Sequence, residues 1–153
     1  QRQMCIRDST PAFRRVYLAV CDGGPQPPSG VVDAPLGPRE GSLVEQMVRP
    51  DGKDARTRYE TLSRSGGRSL VRLELDTGRT HQIRAQFAAA GHPLLGDGKY
   101  GRGDVNRRYG ETRQALYSYR LTFDFPTDAG LLNYLRGRSF QVESVPFREK
   151  YFG

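Results

Sequence analysis

The sequence predicts an α+β domain, a mainly antiparallel sheet with flanking helices, and three features of the chain carry that prediction. Leu73 and Leu75 alternate with Arg72, Glu74 and Asp76, the period of a half-buried strand. Tyr117, Tyr119, Leu121, Phe123 and Phe125 alternate with Ser118, Arg120, Thr122 and Asp124 in the same way. Between these stretches the period lengthens: Ile83, Phe87 and Ala90 share one face of a helix expected from about Thr80 to Ala90.

Along the chain, residues 1–12 stand apart. They lack periodicity, resemble translated adapter sequence, and are expected to be a non-native leader ahead of a domain at residues 13–153. Arg15 to Cys21 reads as a strand with Val16, Leu18 and Val20 on one face and Arg15, Tyr17 and Ala19 on the other. Gly23 to Gly30 is a turn-rich loop, and residues 37–52, rich in glycine, proline and charge, are expected to be an exposed loop. A strand ending near Ser63 returns through Ser65-Gly66-Gly67-Arg68, a hairpin turn, into the strand at 69–76. Gly78 breaks that strand, Thr80 is the expected N-cap of the helix, and Gly91 sits where a left-handed C-cap would end it. Residues 102–114, with Arg102, Arg107, Arg108 and Arg113 and no apolar period, are expected to be a solvated loop. Leu116 falls on the polar side of its strand's alternation, odd for a core and reasonable for a pocket wall. Pro126 ends that strand; Ser139 to Val145 forms another, and Pro146 to Tyr151 a short turn of helix.

A chain of 153 residues fits one modest domain, and with no tryptophan its core leans on tyrosine, phenylalanine and aliphatics. No apolar run approaches a membrane span and no signal peptide is visible. Cys5 and Cys21 form neither a metal-spaced pair nor a disulfide framework, which suits a reducing cytoplasm. A net charge of +7 and a pI near 9.8 favour a polyanionic partner.

The chemistry concentrates between Leu75 and Asp97. Arg79, Thr80, His81, Gln82 and Arg84 gather where a strand meets a helix. The arginines read either as solvated helix-face charges or, with His81 and Gln82, as a cluster that handles phosphate or carboxylate; two arginines, a histidine and a glutamine within six positions, closed by glycines, favour the second. A hydrolase or metal site built from His81, His92 and Asp97 has weak ligand spacing.

The run Leu75 to Arg84, followed by Gly91 to Asp97 and Tyr100-Gly101, resembles the RluA-type RNA pseudouridine synthases. That family carries L-x-T-G-R-T-H-Q-I-R, then G-H-P-L-L-G-D and a Tyr-Gly pair. Arg15, Tyr17 and Ala19 match its K-x-Y-x-A element with arginine for lysine, and Val31 to Leu36 is similar to its short G-x-I-x-x-P-L strand. Lys53 to Tyr59 matches K-x-A-x-T-x-Y. Arg113 to Ser118 is similar to R-x-x-L-H-A, with Tyr117 in place of histidine and Ser118 in place of alanine.

The resemblance implies the C-terminal portion of a pseudouridine synthase catalytic domain, isomerising uridine in rRNA or tRNA without cofactor or metal. The base must be extruded into a pocket for that chemistry. It implies Arg84 to hold a nucleophilic aspartate ionised, Tyr17 against the uracil and Leu116 as the hydrophobic wall. Arg79, Thr80, His81, Gln82, Arg15 and Arg113 are the expected RNA contacts. The family's nucleophile lies in an H-R-L-D-x-x-T-S-G motif. Arg7-Asp8-Ser9-Thr10 resembles it only superficially, lacking the leucine and the T-S-G, so Asp8 is not assigned that role and the chain is expected to be an inactive fragment. The expected protein is a cytoplasmic monomer with structured RNA as its partner. The alternative is a non-catalytic RNA-binding module of the same fold.

Overall fold

A computed structural model describes residues 13–123, 130, 134, 137–141 and 146–152. The strands are β1 (Phe13–Asp22), β2 (Ser29–Asp33), β3 (Leu36–Pro38), β4 (Gln46–Val48), β5 (Arg56–Ser65), β6 (Arg68–Leu75), β7 (Leu116–Phe123) and β8 (Ser139–Gln141). The helices are α1 (Gln82–Ala89), α2 (Gly103–Tyr109) and α3 (Pro146–Phe152). Six strands form one sheet in the order β2-β5-β6-β1-β7-β8, every neighbour antiparallel, and β3 and β4 pair as a separate ribbon. The expected α+β architecture holds.

Alternation along β1 sorts the core. Leu18 and Val20 face a cluster with Leu70, Leu95, Val105 and Ala115, covered by Tyr109 of α2 and by Phe147 and Tyr151 of α3. Ala19 and Cys21 face the other way, into Val71, Leu73, Leu94 and the Ile83 and Phe87 side chains of α1. The sheet is therefore packed on both sides. This is why β6, expected to be half-buried, is buried on both faces, even at Glu74, which takes hydrogen bonds from the Arg14 guanidinium.

Ser65 pairs with Arg68 across Gly66 and Gly67, both left-handed at φ 59° and 77°, as a two-residue hairpin turn requires. The end of α1 also follows expectation. Gly91 (φ 87°) donates to the Ala88 carbonyl at 3.1 Å and His92 to that of Phe87 at 2.8 Å, a Schellman motif.

Several expectations are corrected. Residues 37–52 are not one loop, because β4 and the last two residues of β3 lie within the segment, and Leu36 at the start of β3 is buried against Ala55 and Ala85. The strand expected over 31–36 splits after Asp33, β2 joining the main sheet and Leu36 starting the ribbon. Residues 102–114 contain α2. Val105 and Tyr109, four apart, supply its buried stripe; Asp104 lies in its first turn and Arg107 and Arg108 in its last, complementing its dipole. Thr80 is not the N-cap of α1: His81 holds that position, left-handed at φ 53°, without a side-chain cap. Leu116 is on the face opposite Tyr119, as the alternation requires, but that face meets the α1 core rather than water. The leader and Asp8, Phe125 and Pro126, and residues 142–145 of the last expected strand lie outside the described residues.

Candidate functional site

α1 rests its Ile83 and Phe87 on the same core cluster against which Tyr17 and Leu116 are half-buried. Leu116 pairs opposite Ala19 on β1, two residues from Tyr17, so the two side chains are diagonal neighbours on one face of the sheet. A register shift between Val16 and Tyr17 marks a bulge in the β1–β7 pairing, the kind of irregularity that re-aims a side chain. Arg84 follows Ile83 directly. Tyr17 and Leu116 thus share the sheet face that carries α1, the helix to which Arg84 belongs.

Arg84 already has a carboxylate partner within the chain. Its Nε donates to Asp97 Oδ2 at 2.8 Å and its Nη2 to Oδ1 at 2.9 Å, a bidentate pair with side-chain exposures of 12% and 0%. Burial pushes the Asp97 carboxyl upward, but the Arg84 fork and the Tyr100 and Lys99 backbone N–H groups outweigh it and hold the group below the usual carboxylate range. Hydrogen bonding to Asp97 correspondingly raises Arg84. The Tyr100 ring lies against the guanidinium, 5.1 Å from Cζ to the ring centroid. Its hydroxyl accepts the Gln46 N–H at 2.8 Å and bonds His81 Nδ1 at 2.9 Å. Burial, then the Arg84 and Lys99 charges, push His81 below its ordinary value, so it is neutral near pH 7.

Gln82, expected to touch RNA, is corrected to a structural role. It is 2% exposed, and Oε1 accepts from the Thr77 hydroxyl at 2.8 Å and the Arg79 N–H at 3.0 Å. Nε2 donates to the Arg56 carbonyl at 3.0 Å and Thr57 Oγ1 at 2.9 Å. Nothing of the amide is left for a phosphate. Gln86 works alongside it, accepting from the Thr57 hydroxyl and donating to the Ala34 and Ala55 carbonyls. Together they tie α1 to β5 and to the approach to β3.

Arg79 turns its Nε to the Asp54 carbonyl, and Thr80 and Arg113 are exposed; Arg15 is half-buried at the start of β1. The groups of the alternative metal reading point to separate partners: His81 to Tyr100, His92 to the Asp22 carbonyl and Asp97 to Arg84. Cys21 is buried, and burial pushes its thiol up to about 12, so it is not a nucleophile. A cleft of about 580 Å³ on the β3–β4 ribbon, lined by Arg39, Met47 and Arg49 among others, holds none of the expected residues.

The sequence reading missed the Asp97 partnership and the role of Tyr100. Both lie in motifs it had noticed, Gly91 to Asp97 and Tyr100-Gly101. Only the turn connecting them brings the carboxylate and the ring to the same guanidinium.

Comparison with known proteins agrees with this frame. Residues 4–89 match the family model described as RNA pseudouridylate synthase. The chain is 42% identical over 113 residues to the uncharacterized RNA pseudouridine synthase YjbO of Bacillus subtilis, covering 74% of this chain and 38% of that protein. It is 37% identical over 124 residues to the ribosomal large subunit pseudouridine synthase D of Nitrosomonas europaea, covering 78% of this chain and 36% of that protein. The chain therefore spans less than two fifths of the length of these relatives. Among solved structures, human RNA pseudouridylate synthase domain containing 1 superposes with a TM-score of 0.66 at 21% identity, over 91% of this chain and 65% of that one. With the family match extending over more than half of the residues and ending at the close of α1, this chain belongs to the RNA pseudouridylate synthase family, in its RluA-type branch.

Proposed function

We propose that this chain is part of the catalytic domain of a cytoplasmic RNA pseudouridine synthase that isomerises a uridine in rRNA or tRNA. In that reaction the N1–C1′ glycosidic bond breaks, a C5–C1′ bond forms, C5 gives a proton to water and N1 takes one up, so the product is an isomer. The chain contributes Arg84, Tyr17 and Leu116; the nucleophilic aspartate comes from a segment outside it. The observation that supports this reading is that Tyr17 and Leu116 lie diagonally on the sheet face against which α1, the helix carrying Arg84, packs its Ile83 and Phe87. The net charge of +7 supports an RNA partner.

Tritium release from RNA labelled at uridine C5 tests the reading. Residues 1–153 alone are expected to be inactive, and the full-length protein that carries this segment active. In that protein Arg84→Ala leaves the nucleophilic carboxylate without its guanidinium; about 3 kcal/mol of lost transition-state stabilisation lowers turnover on the order of a hundredfold. RNA affinity should change little. Arg84→Lys should also be slow, because a point charge cannot reproduce a planar fork. A second reading, a non-catalytic RNA-binding module, draws on the Arg84–Asp97 pair, which already neutralises the arginine without any external carboxylate. Full-length protein that binds RNA and releases no tritium would favour it.

A further inference from the structure

Gly91 to Asp97 is the part of the motif to which the proposed chemistry gives no task. Asp97 has 0% relative exposure, and its surroundings are built to keep it ionised and still. Oδ1 accepts the Lys99 and Tyr100 N–H groups at 2.9 and 3.0 Å, besides Arg84 Nη2. The Asp97 carbonyl accepts from Asn106 Nδ2 at 3.1 Å, while Asn106 Oδ1 accepts the Gly96 N–H at 2.8 Å, so one α2 side chain clamps both sides of the residue. Gly96 itself is left-handed at φ 74°, and a Cβ there would run into the Arg113 carbonyl. The turn is committed to a single conformation.

This turn holds only part of the Arg84 guanidinium. Asp97 takes Nε and Nη2, and the Tyr100 ring takes one face. Among the described residues Nη1 has no hydrogen-bond partner. A guanidinium fixed along one edge and on one face cannot rotate, and its remaining edge keeps a defined direction.

We propose that Asp97 is a positioning residue. It locks the Nε–Nη2 edge of Arg84 so that the Nη1 edge is presented to the nucleophilic carboxylate of the uridine isomerisation. The inference rests on the proposed function, because it needs that carboxylate to exist. It goes beyond it in giving the buried aspartate of the motif a catalytic consequence without contact with the RNA.

Two measurements test this. In ¹⁵N-labelled wild-type chain the Arg84 Nε–H resonance, identified by its loss in Arg84→Lys, should exchange with water at least tenfold more slowly than that of exposed Arg108. Equal exchange would mean the pair does not hold in solution and would overturn the proposal, whether or not any Asp97 variant folds. In the full-length protein Asp97→Asn should lower kcat at least tenfold with KM for RNA within threefold. The double variant Arg84→Ala/Asp97→Asn should be no slower than Arg84→Ala alone, because Asp97 acts only through Arg84. A merely structural aspartate would instead multiply the two losses, and that result refutes the assignment. Normal kcat in Asp97→Asn beside a slow Arg84→Ala sinks the positioning role and spares the proposed function. Normal kcat in Arg84→Ala sinks the proposed function itself.

Discussion

Replacing Gln82 with alanine separates a structural glutamine from an RNA contact. The side chain accepts two hydrogen bonds, from Thr77 and Arg79, and donates two, to Arg56 and Thr57. Thr57 is fully buried, and the Arg79 N–H lies at the entry to α1, where no other side chain caps the helix. Thr57 keeps its bond to Gln86, Thr77 the Arg56 N–H and the Arg56 carbonyl the Asp76 N–H, so truncation orphans the Arg79 N–H, at about 1–3 kcal/mol. For a chain of this size that lowers Tm by about 2–12 °C. Urea and thermal unfolding of the purified chain read the effect. Gln82→Met, which keeps most of the volume and none of the hydrogen bonds, should lose a similar amount. RNA affinity, measured where both variants are folded, should fall only through the loosened Arg79 turn. If Gln82→Ala were within about 0.5 kcal/mol of wild type, the range of an ordinary surface substitution, and lost RNA affinity instead, the buried-network account would be wrong.

Two further outcomes are expected. Asp97 is depressed in the folded chain, so its pairing contributes stability above the unfolded carboxyl value, about 3.9, and loses it as pH falls through the folded one. The difference in urea midpoint between wild type and Asp97→Asn should be constant above about pH 4 and close below it; a difference unchanged into strong acid would contradict the ion pair. RNA binding through about four phosphate contacts to single-stranded RNA should give a slope near −3 for log K against log salt, and a salt-independent affinity would remove the electrostatic argument.

The sequence showed the long elements and the short C-terminal helix α3, and concealed the β3–β4 ribbon and α2. β1 and the β5–β6 hairpin were legible because several apolar positions repeat with period two and the turn carries two adjacent glycines. The β3–β4 ribbon was not, since three-residue strands are shorter than any pattern that could announce them. α2 escaped because its buried stripe is one pair, Val105 and Tyr109, among arginines. At the site, Arg84, Tyr17 and Leu116 could be picked out by family likeness, and the fold sets Tyr17 and Leu116 on the sheet face that carries α1. Gln82 was misjudged for a physical reason: α1 buries Gln82, Ala85 and Gln86 as well as Ile83 and Phe87, a wider face than apolar spacing reveals. No periodicity links Arg84 to Asp97, because the contact runs across a helix end and two turns.

The interior position of β1 has a consequence for how such a chain is made. β1 is the first described strand, yet it pairs with β6 on one side and β7 on the other, and Leu116, the partner of Ala19, comes 97 positions later in the chain. Ribosomes add about 5–20 residues per second, so its β7 edge waits roughly 5–20 s for its partner to be translated. During that interval Leu18, Ala19, Val20 and Cys21, all buried in the finished sheet, sit on a strand with open backbone hydrogen bonds. The β5–β6 hairpin closes locally and can shield the other edge as soon as β6 is out. Synthesis, rather than equilibrium stability, is thus the stage at which this sheet is most exposed to pairing with the wrong chain, and a chaperone that covers apolar strands would act on β1 before β7 arrives.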